Sequence, residues 1–73
     1  MEIGKKLISG ALHVREQQVL QRIADGLTTE EIGVALVLHP KTVRYWSTMA
    51  RAKLNANSLG HAVAVAMRRE LIQ

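Results

Sequence analysis

The chain has 73 residues, with ten Lys and Arg against six Asp and Glu for a formal net charge of +4, and no cysteine. That suffices for one small domain and excludes a second; without thiols neither disulfides nor thiolate metal sites can staple it, and the cytoplasm is the expected compartment. No apolar run approaches the roughly 20 residues that cross a bilayer, and the opening MEIGKKLISGALHV carries two lysines before only a broken apolar stretch, so neither signal peptide nor membrane anchor is expected.

Residues 1–11 show no clear period and read as an N-terminal arm, which leaves 12–73 as the domain. From Val14 to Asp25, Val19, Leu20, Ile23 and Ala24 fall at i, i+1, i+4 and i+5, one stripe of an amphipathic helix that Gly26 can end. Thr28 followed by Glu31 forms a capping box that satisfies free N–H groups at the start of a second helix. Its expected buried stripe is Ile32, Ala35 and Leu36, and its interior Gly33 is tolerable where another helix approaches closely.

Only VLH separates Leu36 from Pro40, and proline favours the first helical position, where a missing N–H costs nothing. A third helix therefore runs from about Pro40 to Leu54. Val43, Trp46, Ala50 and Leu54 form its packing face, while Lys41, Arg44, Tyr45, Thr48 and Arg51 or Ala52 take the other. After the polar turn NANS, Leu59, Ala62, Val63 and Ala66 mark the inner stripe of a fourth helix, leaving His61, Ala64, Val65 and Arg68 opposite. The expected fold class is all-α, a four-helix bundle-like domain. A domain this small buries a modest share of its surface, so a partner subunit would stabilise it.

Charge is distributed unevenly. Met1 to His39 holds four basic residues and five acids, a balance of −1, whereas Pro40 to the end holds six against Glu70 alone, a balance of +5. Two helices joined by about three residues, the second basic on its outer face, make a helix-turn-helix, whose second helix enters the DNA major groove. Arginine offers guanine a bidentate fork, lysine suits phosphate, and threonine or tyrosine can touch either.

These elements resemble a known family. REQQVLQRIADGLTTEEIGVAL, then KTVRYW, Lys53 with Leu54, and finally AVAVAM with Leu71 and Ile72 are similar to the LuxR-type (GerE-like) DNA-binding domain of bacterial transcription regulators. The resemblance spans Leu12 to Ile72. It implies Arg44, Tyr45 and Thr48 at base-contacting positions, Lys41 and Thr42 near phosphates, a homodimer through the last helix and inverted-repeat promoter sites. Arg51 on the same face is a further phosphate candidate, and RNA polymerase a further partner. The sequence departs from the family where His13 replaces serine or threonine, His39 serine, Trp46 histidine and Leu59 arginine. Tyr45 holds a position more often small, aliphatic or polar. The two histidine replacements fall at expected N-caps, each worth about 0.5–2 kcal/mol.

His13, His39 and His61 lie 26 and 22 residues apart without a metal-binding motif, so neither metal nor cofactor is expected. Ser9, Ser47 and Ser58 have no base signature beside them and the glycines form no phosphate loop, which argues against an enzyme. Two alternatives remain open: a promoter-binding domain like region four of sigma factors, and a helix-turn-helix that binds protein instead of DNA.

Overall fold

A computed structural model describes residues 11–73, so nearly all of the expected arm lies outside the described residues. The domain is all-α, as expected: α1 Val14–Ala24, α2 Thr29–Leu36, α3 Pro40–Lys53 and α4 Leu59–Arg68.

Each helix begins on a side-chain cap. Thr28 Oγ1 accepts from the Glu31 N–H at 3.2 Å and Glu31 Oε1 accepts from the Thr28 N–H at 2.8 Å, the capping box that the sequence predicts. At the two positions where histidine stands for the family's usual hydroxyl residue, the imidazole fills the role. His13 Nδ1 accepts from the Arg15 N–H and His39 Nδ1 from the Lys41 N–H, each at 3.0 Å. Ser58 Oγ caps α4 by accepting from the His61 N–H at 3.0 Å. The free N–H groups of each first turn thus find acceptors at least in part.

Two hydrophobic clusters hold the helices together. The larger joins Leu20, Ala50, Leu54, Ala56, Ala62, Ala66 and Ile72. Its alanines let α3 and α4 pack closely against α1, and it continues into the C-terminal residues. There the Gln17 side-chain amide donates to the Leu71 carbonyl at 2.7 Å, and Gln21 exchanges two hydrogen bonds of 2.9 Å with the Gln73 backbone. The smaller cluster joins Val19, Ile32 and Val43, with Ile23, Leu27, Leu36, Leu38 and Trp46 packed around it. Glu16 is almost fully buried at 1% exposure; its Oε1 accepts from the His13 N–H at 2.7 Å and from the Lys53 ammonium at 3.0 Å.

The turn between α2 and α3 is tight. The Leu38 N–H donates back to the Gly33 carbonyl at 2.8 Å. A Cβ on Gly33 would sit 2.6 Å from the Leu38 carbonyl oxygen, so the close approach that requires this glycine comes from the turn backbone and not from another helix. Val37 closes α2 in the left-handed region, φ 57° and ψ 52°, a conformation that a β-branched residue adopts only under strain.

Two expected faces are corrected. Ala35 is exposed, and Gly33 is buried in its place. The inward stripe of α2 is centred on Ile32, Gly33 and Leu36, and at 100° per residue Ala35 turns roughly a third of a revolution away from it. On α4, Val65 is half-buried and packs against the larger cluster instead of facing outward with Ala64 and Arg68.

Candidate nucleic-acid interface

The outer face of α3 is built by its inner one. Val43, Ala50 and Leu54 are buried, which fixes the rotation of the helix and sends Lys41, Arg44, Tyr45 and Thr48 into solvent together. His39 and Pro40 fix where the helix starts, and Gly33 and Val37 fix the turn that aims it. Neither Lys41 nor Arg44 lies within ion-pair reach of a described carboxylate, the sole ion pair among the described residues being Lys53–Glu16. Their charge is therefore directed outward.

Two members of the expected set are less free. Thr42 is half-buried beside Val43. Arg51 is half-buried too, and its guanidinium donates to the Ala56 carbonyl at 3.3 Å, bracing the turn into α4 while keeping further donors for an anion. Of the four basic residues between Pro40 and Leu54, Lys53 pairs with Glu16, which leaves Lys41, Arg44 and Arg51 for this face.

An aromatic cluster flanks the face, and only the structure brings it together. The His13 ring stacks on Trp46 with centroids 4.6 Å apart and planes at 23°. Trp46 in turn meets Tyr45 edge-on, with centroids 5.1 Å apart and planes at 70°. Trp46 is half-buried against the smaller cluster, in keeping with its place on the packing stripe, whereas Tyr45 is 54% exposed. No spacing rule could have joined His13 to Trp46, 33 residues later in a different helix.

The face offers guanidinium, ammonium, hydroxyl and aromatic groups without a carboxylate, a set suited to phosphates and base edges. Beside it, an open depression of about 610 Å³ lies over the α2–α3 turn, lined by Glu30, Val34, Val37 and Leu38 among others. On α4, Arg68 is exposed, Ala64 is half-buried, and His61 is half-buried with its Nδ1 accepting from the Asn57 N–H at 3.1 Å. Gly60 and Met67, exposed on the same side as Ala64 and Arg68, complete the outward surface of that helix. No helix among the described residues is long and apolar enough to cross a membrane.

Comparison with known proteins identifies the architecture. Residues 10–66 match the family model described as bacterial regulatory proteins, luxR family. A protein of Pseudomonas aeruginosa named "Putative transcriptional regulator" is 42% identical over 62 residues, 85% of this chain and 30% of that protein. The transcriptional regulatory protein FixJ of Azorhizobium caulinodans is 33% identical over 66 residues, 90% of this chain and again 30% of the relative. The chain thus spans under a third of the length of these two relatives. It belongs to the luxR family of bacterial regulatory proteins, and its helix-turn-helix is α2, the turn at 37–39 and α3.

Proposed function

We propose that this luxR-family domain is a non-catalytic transcription regulator that reads DNA sequence by placing α3 in the major groove. The observation that supports this most directly is the solvent-facing set Lys41, Arg44, Tyr45 and Thr48, free of described acidic partners and aimed by a three-residue turn. Arg44, Tyr45 and Thr48 contact bases. Lys41, Thr42 and Arg51 contact phosphate, Arg51 while still bonded to Ala56. The domain acts as a homodimer through the outward side of α4, where His61, Ala64 and Arg68 adjoin Gly60 and Met67. Two-fold symmetry then sets the recognition helices on inverted half-sites about 10–10.5 bp apart. The cytoplasm is the compartment and RNA polymerase the further partner that promoter binding implies.

Selection of bound sequences from a random DNA pool tests this proposal. Arg44→Ala should cost about 1–3 kcal/mol on the selected site and relax preference at one base position per half-site. Lys41→Ala should weaken all sequences alike and flatten the salt dependence. Equal losses on selected and competitor DNA for Arg44→Ala would assign Arg44 to phosphate, and a parent protein that enriches no sequence would overturn the proposal.

A further inference from the structure

We propose that His13 and Trp46 are positioning residues for DNA recognition: stacked on each other, they hold Tyr45 as a pre-set reader of one base position in each half-site. This rests on the proposed DNA-binding role of α3.

Consecutive residues on a helix point about 100° apart, so Tyr45 and Trp46 would ordinarily face different surroundings. Here the two rings meet edge-on, which ties the Tyr45 ring to Trp46. Trp46 is itself held on two sides: its body packs against the Val19, Ile32 and Val43 cluster, and its face is covered by the His13 ring. His13 is fixed in turn. Its Nδ1 accepts from the Arg15 N–H at 3.0 Å, and its own N–H is bound by the buried Glu16 at 2.7 Å. A continuous line of constraint therefore runs from the buried Glu16 carboxylate, through two rings, to a half-exposed phenol on the DNA-facing helix. Tyrosine with its two side-chain torsions held in advance loses little freedom on binding.

The chemistry of the ring indicates what it reads. A tyrosine hydroxyl can both donate and accept, so by itself it separates base edges poorly; the discriminating contact left to the ring is apolar, and the apolar group on a major-groove base edge is the thymine C5 methyl. The structure brings His13, at the start of α1, and Tyr45 and Trp46, on α3, into one chain of ring contacts. The cluster is then a unit of specificity.

His13→Asn separates the two roles of His13, because asparagine caps a helix as well or better but carries no ring. We expect His13→Asn to remain helical with a melting transition near that of the parent, and the emission of Trp46, the only tryptophan, to shift. On selected DNA, Tyr45→Ala should lose a roughly fourfold preference for thymidine over 2′-deoxyuridine at one position per half-site, the worth of one methyl-sized contact. Tyr45→Phe should keep that preference. His13→Asn should lose most of it at the same position, and the His13→Asn, Tyr45→Ala double variant should lose no more than Tyr45→Ala alone. A folded His13→Asn protein with unaltered emission, or with the parent's full preference at that position, would overturn the proposal while leaving DNA reading by α3 intact. A parent that selects no DNA would overturn both.

Discussion

The two ends of α3 are held in different ways. Toward Lys53, the helix lies in the larger cluster, where Ala50, Leu54, Ala62 and Ala66 allow close packing and the C-terminal residues add hydrogen bonds to α1. Toward Pro40, the helix rests on three buried side chains, Val19, Ile32 and Val43, and on backbone devices: a glycine with no room for a Cβ, a left-handed valine and a histidine cap. The first arrangement resists unfolding. The second sets direction, and it is the end that carries Lys41, Arg44 and Tyr45. Stability and aim thus reside in separate parts of one 14-residue helix, and substitutions should distinguish them.

The largest expected effect is on the anchoring end. Lys53→Met leaves the Glu16 carboxylate buried with only the His13 N–H as partner and should cost about 3 kcal/mol by urea unfolding, with the selected DNA site unchanged. Adding Glu16→Gln should recover much of that loss. On the aiming end, Gly33→Ala forces its Cβ against the Leu38 carbonyl; we expect a loss of about 2 kcal/mol and a fall in affinity for selected DNA beyond what the unfolded fraction explains. If Lys53→Met changed site preference, or Gly33→Ala bound DNA as tightly as its folded fraction allows, the division between anchoring and aiming would collapse.

Two smaller effects sharpen the same contrast. Val37 is 88% exposed, so glycine there gives up little burial and relieves the left-handed strain. Val37→Gly should raise stability by about 0.5–1 kcal/mol in thermal unfolding, net of the entropy glycine adds to the unfolded chain. Ala64→Glu, on the outward side of α4, should change monomer stability by less than about 0.5 kcal/mol. It should nonetheless sediment as a monomer at concentrations where the parent is dimeric, because the carboxylate would meet its symmetry mate. Unchanged sedimentation of a dimeric parent after this substitution would place the dimer seam elsewhere.

Legibility in the sequence followed the range of the interactions. The helices were legible because caps and turns are local: Thr28 with Glu31, Pro40, and Gly26 act within one turn of where they stand. The outer set on α3 was legible because Val43, Ala50 and Leu54 fix its rotation. What escaped depended on distant partners. Lys53 pairs with Glu16, which is buried and lies 37 residues earlier. Val65 packs inward on a cluster to which all but one of the helices contribute. The aromatic cluster joins the first residue before α1 to the middle of α3. A helical period gives a face to within a residue or so, and the neighbours of the assembled fold choose the rest.

The hydrogen bonds from α1 to the last residues span 52 and 54 positions. Closing such long loops carries an entropic cost that local helix formation does not repay. During synthesis, α2 and α3 can form and pair while α1 still lacks Ile72, the residue that completes the larger cluster. A chain in which residues 71–73 have not yet joined α1 would therefore hold a formed but loosely anchored helix-turn-helix, and amides of α1 should be among the last to gain protection from hydrogen exchange as the domain refolds.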